Sequence, residues 1–179
     1  MKENVIGEML ISHKAIEFGD FTLASGAKSR YYIDVKSAIT HPELLSAIAV
    51  FIAQEYTFDL VAGVAVGGVP LATAVALESK KPFAIIRASE KSHGKKDLII
   101  GNVKDRQVLL VEDVTTSGGS ALYGISALRD AGATADRVVT VVDRDQGAEA
   151  MLREHRIALF PLVRVSEILK TAQADEREE

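Results

Sequence analysis

The chain has 179 residues, of which 47% are hydrophobic and 26% charged, and it carries a formal net charge of −4. This composition is typical of one folded globular domain, residues 1–179, and excludes a disordered or collagen-like chain. The acidic balance excludes binding of nucleic acid through a broad basic surface, and the lack of cysteine excludes disulfides, thiolate metal sites and cysteine nucleophiles.

Residues 1–56 are predicted to form an N-terminal helix and a small region, the hood, ahead of the core. Within the hood, residues 18–30 are rich in turn-forming residues, residues 31–39 are typical of a strand, and residues 41–56 have the apolar period of a helix. The first residues are too charged for a secretory signal peptide. We therefore expect a cytoplasmic protein.

Residues 60–77 contain no charged residue, and a run of this length is at the lower limit for a membrane-spanning helix. Gly67, Gly68 and Pro70 interrupt the run in its middle. A buried strand, a glycine turn and an alanine-rich helix account for it better, so we expect no membrane partner.

Short apolar runs rich in β-formers alternate with helical segments through a predicted core, residues 57–165. The predicted strands are 59–66, 82–87, 107–114, 137–143 and 158–163, and the predicted helices between them are 69–79, 120–132 and 146–155. This alternation predicts an α/β fold with a five-stranded parallel sheet and helices on both faces, followed by a polar tail at 174–179. In such sheets, ligands bind beyond the carboxyl ends of the strands.

The clearest candidate site is VLLVEDVTTSGGSA, residues 108–121, where an apolar strand ends in Glu112 and Asp113. The loop that follows, residues 114–120, is called the cradle. Its glycines and the helix start after it predict an anion site for one phosphate, with hydroxyl donors from Thr115, Thr116, Ser117 and Ser120. The two acids would repel phosphate but suit sugar hydroxyls, so the pattern indicates a phosphorylated ribose. The alternative is an acidic N-cap on an ordinary loop.

Other phosphate-binding signatures are absent from the sequence. Neither G-x-x-x-x-G-K-[ST] nor G-x-G-x-x-G occurs. Kinase, GTPase and dinucleotide-binding functions therefore lose their main support.

Three further segments point, with the first, to one family. Residues 108–121 resemble the phosphoribosyl pyrophosphate (PRPP) motif of the type I phosphoribosyltransferases. FTLASGAKSRYYID (21–34) and RASEKSHG (87–94) resemble the orotate-site signature and the mobile catalytic loop of the orotate phosphoribosyltransferases, and VVDRDQG (141–147) completes the match. The resemblance implies the type I phosphoribosyltransferase fold and transfer of phosphoribose from PRPP to orotate, giving orotidine 5′-monophosphate and pyrophosphate in pyrimidine biosynthesis. It also implies Mg²⁺ held mainly through PRPP.

The resemblance assigns roles to individual residues. It implies catalytic roles for Lys91, His93 and Asp113, and orotate binding by Thr116 and Arg144. The PRPP-binding residues that it implies are Arg87, Lys91, His93, Glu112, Asp113, Val114, Thr115, Thr116, Ser117, Gly118, Gly119 and Ser120. Contacts with substrate are also expected from Lys28, Tyr32, Gly67 and Gly68. The family further implies a homodimer whose 87–96 loop acts in the partner's site.

The 87–96 loop has four cationic side chains, from Arg87, Lys91, Lys95 and Lys96, against one acid, Glu90, in an acidic chain. A positive loop over an anion site suits a pyrophosphate leaving group, whose charge grows in the transition state. The alternative is a solvated surface loop.

Two other positions have similar alternatives. The AVGGVP segment, residues 65–70, brings backbone close to a ligand or forms a plain strand–helix turn, and in the family it often holds a non-proline cis peptide. Arg144 suits a carboxylate ligand, or it forms a surface ion pair with Asp143 or Asp145.

The chain departs from part of the family at Ala24, Gly67 and Ala88, where some members have lysine. A purine phosphoribosyltransferase and a PRPP-sensing regulator of the same fold are the alternative functions. The FTLASG segment and Arg144 argue against the purine enzyme, and the acidic net charge argues against a nucleic-acid-binding regulator.

Overall fold

The computed structural model describes residues 2–22, 26, 28–88 and 98–169. In chain order the elements are α1 (Lys2–Ser12), β1 (Ile16–Thr22), β2 (Lys28–Ile33), α2 (Val35–Ala38), α3 (Pro42–Glu55), β3 (Leu60–Val64), α4 (Gly68–Ser79), β4 (Phe83–Ile86), β5 (Ile99–Ile100), β6 (Gln107–Thr115), α5 (Gly119–Asp130), β7 (Thr134–Asp143), α6 (Ala148–Glu154) and β8 (Ala158–Arg164). One sheet joins six of the strands in the order β5-β4-β3-β6-β7-β8, and β1 pairs with β2 in a second sheet.

Five strands of the large sheet are parallel, as the alternation of strands and helices predicted. The prediction of five strands was incomplete, because β5 adds a short antiparallel strand at the edge, with Ile86 paired to Ile99. A two-residue strand is too short to show a periodic pattern in the sequence. This pairing fixes both ends of the segment between β4 and β5.

The helices cover both faces of the sheet, because successive strand residues point to opposite faces. In β6, Leu109 and Val111 belong to the core under α1, α3 and α4. Val108 and Leu110 belong to the core under α5 and α6. The same alternation continues to the carboxyl end of β6, where the two acids lie.

The hood differs from its prediction. Most of residues 18–30 is strand rather than turn, since β1 and β2 form an antiparallel pair. The predicted strand over 31–39 was wrong after residue 33, because β2 ends there and α2 begins at Val35. Asp34 accepts hydrogen bonds from the Ser37 backbone N–H at 3.0 Å and from the Ser37 hydroxyl at 2.7 Å. This N-cap turns the chain into a helix despite its β-forming residues.

Residues 60–77 form a strand, a turn and a helix, as predicted, and no helix in the described ranges is long and apolar enough to cross a membrane. A Cβ on Gly63 would collide with the backbone of Gly68, and one on Gly68 would lie 2.7 Å from the Val111 carbonyl oxygen. Because both positions are glycine, α4 begins directly against the end of the sheet.

Candidate functional site

The candidate site lies beyond the carboxyl ends of three neighbouring strands, β3, β6 and β7. The turn at 65–67 follows β3, Glu112 and Asp113 end β6 with the cradle after them, and Arg144 follows β7. Since these strands are adjacent and parallel, their ends meet at one edge of the sheet. The fold therefore brings together three of the segments that the sequence indicated.

The two acids are both buried, yet they face different neighbours. Glu112 accepts a hydrogen bond from the Ser120 hydroxyl at 2.8 Å, on the α5 side. Asp113 pairs with Lys36 of α2, with 2.7 Å between Nζ and Oδ2. Strand alternation separates them in this way, because a one-residue step reverses the face. Burial raises the pKa of Glu112 to about 7.

Asp113 lies in a narrow space between the hood and the 65–67 turn. Its side chain is 7% exposed, whereas that of Lys36 is 59% exposed. A Cβ on Gly67 would lie 2.5 Å from the Asp113 carboxylate. The position of Asp113 therefore depends on a residue without a side chain at 67.

The cradle offers backbone N–H groups to an anion. Gly118, at φ 86°, begins α5 without a side-chain cap, so the first N–H groups of the helix are not occupied by one. The side chains of Thr116 and Ser117 are exposed beside them. A helix start of this kind binds phosphate, since its N–H groups and dipole both favour negative charge.

Two of the four predicted hydroxyl donors are otherwise engaged. Thr115 is buried and donates to Asp143 at 3.2 Å, and Ser120 donates to Glu112. In this conformation Thr115 supports the end of β7 instead of presenting its hydroxyl to phosphate. Strand pairing explains the difference, because Thr115 is still part of β6 and lies beside Asp143.

Arg144 is held at the site by its backbone, while its guanidinium is left available. Its N–H donates to the Thr115 carbonyl at 3.0 Å. The Nε atom is buried without a hydrogen-bond partner, and the guanidinium carbon lies 5.9 Å from the centre of the Tyr31 ring. Buried polar groups are rarely left unpaired, so this arrangement indicates a ligand.

The acids beside Arg144 pair with another arginine. Arg164 lies 3.1 Å from Asp143, 3.3 Å from Asp145 and 2.8 Å from Glu149. The surface ion pair considered for Arg144 is therefore taken by Arg164. Burial raises the pKa of Asp143.

Arg87 lies at the start of the segment that the sequence indicated as a catalytic loop. Its N–H donates to the Leu98 carbonyl at 2.9 Å, and its own carbonyl accepts from the Tyr123 hydroxyl at 3.0 Å. Its Nε is buried and unpaired. Lys91, His93 and the rest of residues 89–97 lie outside the described residues, as does Ala24.

Lys28 and Tyr32 lie within the small sheet. Lys28 donates to the Thr22 hydroxyl at 2.8 Å, and the Tyr32 ring packs against Phe21 with 5.7 Å between centroids. Tyr31, one position earlier, faces Arg144. Tyr32 points to the other face, since neighbouring side chains of a strand point in opposite directions. Contact of Tyr32 with substrate stays a prediction.

The turn after β3 has the backbone form that the resemblance implied, with a cis peptide bond between Ala65 and Val66. Gly67 lies against Asp113, and Gly68 lies against β6. These close contacts leave no room for a side chain at position 67 or 68, whether or not the turn also contacts a ligand.

The chemistry of the site residues can be compared with what Mg²⁺ prefers. The carboxylates at the site are hard oxygen ligands of the kind that Mg²⁺ takes, but one of them is already paired with Lys36. Within the described ranges, the group of three metal-ligating side chains that come together is His13, His41 and Glu43, in the hood. An ion at the cradle would thus depend on oxygens of the donor.

Sequence reasoning missed Lys36, Tyr31 and Arg164. Strand alternation could have separated Tyr31 from Tyr32. The Asp34–Ser37 spacing is a capping signal that could have identified α2. The contacts of Lys36 and Arg164 join elements distant in sequence, so no local pattern marks them.

Comparisons with known proteins agree with this geometry. Residues 36–157 match the family model described as the phosphoribosyl transferase domain. An orotate phosphoribosyltransferase of Methanocorpusculum labreanum is 63% identical over 166 residues, which cover 93% of this chain and 98% of that protein. One of Methanoculleus marisnigri is 58% identical with the same coverage.

Solved structures show the same similarity. The orotate phosphoribosyltransferase of Aeropyrum pernix superposes with a TM-score of 0.79 at 31% identity, covering 97% of this chain and 98% of that one. That of Mycobacterium tuberculosis, in complex with PRPP, gives 0.74 at 26% identity, covering 93% and 98%.

Proposed function

The chain belongs to the phosphoribosyltransferase family, and we infer that it transfers phosphoribose from PRPP to orotate, giving orotidine 5′-monophosphate and pyrophosphate in pyrimidine biosynthesis. The observation that carries this inference is the meeting, at one sheet edge, of an uncapped helix start, two buried carboxylates and an arginine with an unpaired buried nitrogen. These groups match a phosphate, a ribose diol and a carboxylated base.

The donor is proposed to bind along the end of β6. Its 5′-phosphate would take the N–H groups at the start of α5 and the hydroxyls of Thr116 and Ser117. Its ribose hydroxyls would donate to Glu112 and Asp113, because ionised carboxylates are strong acceptors. Glu112 is a strong hydrogen-bond acceptor for a ribose hydroxyl only when its carboxyl group is ionised. Its raised pKa, about 7, indicates that ionisation in the empty protein occurs around neutral pH.

Orotate is proposed to bind between the end of β7 and the hood. Arg144 would pair with the orotate carboxylate, which matches a planar guanidinium in bidentate geometry. Tyr31 lies close enough to the same guanidinium to limit where it can turn. Thr116 is the second residue expected to contact the base. A purine has no carboxylate, so this pairing favours orotate over the purine alternative.

The reaction needs no covalent intermediate with the protein. A ring N–H nitrogen of orotate forms a bond to C1 of the ribose, while the bond from C1 to the pyrophosphate oxygen breaks and its electrons leave with pyrophosphate. The proton of that nitrogen is released to the leaving pyrophosphate or to water. Positive charge develops on the ribose near Glu112 and Asp113, which stabilise it electrostatically. The protein acts by positioning the two substrates. Bound Mg²⁺ would neutralise the clustered oxygens of the donor.

The 87–96 loop and a second subunit complete the proposal. Arg87, Lys91 and His93 are proposed to bind the pyrophosphate of the donor, and the protein is proposed to be a homodimer in which this loop acts in the partner's site. The unpaired Nε of Arg87 supports a ligand at the base of the loop. The cytoplasmic location expected from the sequence stays a prediction.

A spectrophotometric assay tests the function. The purified protein is mixed with PRPP, Mg²⁺ and orotate, and the loss of orotate absorbance is followed. We expect turnover with orotate, none with adenine, guanine or hypoxanthine, and strong loss in an Asp113→Asn variant. Turnover with a purine base, or PRPP binding without any turnover, would contradict the proposal.

A further inference from the structure

Helix α2 brings a cation to the donor site from the hood. Val35 and Ala38 bury one side of the helix, and Asp34 caps it through Ser37. Lys36, between the buried positions, reaches Asp113 at 2.7 Å. The side chain is thus delivered to the site by a capped helical turn and not by a loop.

The Lys36–Asp113 pair cannot persist unchanged when a ribose diol binds. The Asp113 carboxylate has Lys36 at Oδ2 and the backbone of Gly67 against it on another side. A ribose hydroxyl that donates to Asp113 must therefore share or displace the ammonium group. Displacement costs little on the Lys36 side, because its side chain is 59% exposed and the ammonium group can be hydrated when it leaves Asp113.

The displaced ammonium group has an anion site beside it. Gly67 is the N-cap residue of α4 and provides no side-chain cap. The Val69 N–H donates to the Val66 carbonyl at 3.2 Å and Pro70 has no N–H, so the helix start attracts an anion at the 65–67 turn mainly through the positive end of its dipole. Asp113 contacts both this turn and Lys36, which places Lys36 at the same edge. The hydrogen bond to Asp113 raises the pKa of Lys36 in the empty site. A lysine released from that bond is still cationic near neutral pH.

We propose that Lys36 is a pyrophosphate-binding residue. In the empty site it neutralises Asp113; when the donor binds, the ribose hydroxyls take its place on Asp113 and its ammonium group pairs with the pyrophosphate at the 65–67 turn. The proposal rests on the proposed function, because it takes PRPP as the donor. It gives the hood a direct part in binding the leaving group.

Isothermal titration of the protein with inorganic pyrophosphate and Mg²⁺ tests this role. We expect Lys36→Met to weaken pyrophosphate binding about ten- to hundredfold, which is the range for one charge-assisted hydrogen bond. Lys36→Arg should retain most of the affinity, since it keeps the cation. Lys104→Met is the matched control, because Lys104 is an exposed lysine that precedes β6, at the opposite end of the strand.

Steady-state kinetics separate binding from stability. Lys36→Met should raise KM for PRPP with KM for orotate unchanged, and its thermal unfolding should match that of Lys104→Met. Pyrophosphate affinity equal to wild type in Lys36→Met would overturn the inference. Tighter binding would also overturn it, since Lys36 would then only compete for Asp113.

The two proposals fail separately. If the wild-type protein does not convert orotate and PRPP, the proposed function is contradicted. The titration with pyrophosphate still tests the role of Lys36 in that case. If the wild-type protein converts orotate and PRPP, and the Lys36→Met variant binds pyrophosphate as well as wild type does, only the role of Lys36 is contradicted.

Discussion

Asp113 packs its carboxylate against the backbone of Gly67, so closely that a Cβ on Gly67 would lie 2.5 Å from both Cγ and Oδ1. Gly67 has φ −65°, which any residue adopts, so its glycine is required by the neighbouring acid and not by the backbone. The contact couples the turn after β3 to the end of β6.

Gly67→Ala should therefore impair donor use without unfolding the protein. The added methyl group must push the Asp113 carboxylate away from Lys36 and from the diol position. We expect kcat/KM for PRPP to fall about tenfold or more, as for a misplaced charge-assisted contact. Gly7→Ala is the control, because its nearest neighbour would be Val163 Cγ2 at 3.9 Å. A Gly67→Ala enzyme within twofold of the control would show that Asp113 is not set by this contact.

Arg144→Ala should act on orotate and not on PRPP. Removing the guanidinium leaves the orotate carboxylate without its cation, so KM for orotate should rise about tenfold to a hundredfold while KM for PRPP changes little. Arg153→Ala is the control, since Arg153 is exposed and pairs only with Glu149 among the ion pairs of the described residues. Equal effects on both substrates would indicate that Arg144 supports the fold of the site instead of binding the base.

Glu112 should make the empty protein less stable as the pH rises. Burial raises its folded pKa from 4.5 to about 7, so between these values the folded protein holds a proton that the unfolded chain has lost. The free energy of unfolding then falls as pH rises through this window, by on the order of 3 kcal/mol at most. Urea unfolding at about pH 5 and about pH 8 measures it.

Glu112→Gln isolates this effect from other titrating groups. Asp143 also has a pKa raised by burial, so part of the pH dependence should remain in the variant. The decrease in stability between the two pH values should be smaller in Glu112→Gln than in wild type. An identical decrease in both proteins would mean that Glu112 is already ionised in the folded state at low pH.

Mixing two inactive variants tests the dimer and the loop acting in trans. Lys91→Ala and Asp113→Asn chains should each be nearly inactive alone. After subunit exchange, half of the dimers are heterodimers in which one site has both defects and the other has none. Activity should then return to about a quarter of wild type. No recovery, or a monomer in analytical ultracentrifugation, would rule out a loop that acts in the partner's site.

Much of the fold was predictable because it follows from local patterns. Apolar runs alternating with helical periods predicted the parallel strands and the helices between them, and Gly132 ends α5 with φ 84° beyond its C-cap, as expected. The acids and glycines at the end of β6 were recognisable from the sequence, because their residue types and their order are enough to indicate a site for a phosphate and a diol. The edge strand β5 and helix α2 were missed, because one is two residues long and the other depends on the cap made by Asp34.

The sequence by itself determined which residues could bind a phosphorylated ribose, because side-chain chemistry and strand-end position are local properties. Only the tertiary structure decided how those residues are used. Glu112 faces α5, whereas Asp113 faces the hood. Thr115 is hydrogen-bonded to Asp143, which also pairs with Arg164. The guanidinium of Arg144 therefore lies beside Tyr31 and not in an ion pair with Asp143. Each of these contacts joins elements far apart in the chain, and their distances follow from packing, which no local sequence pattern records.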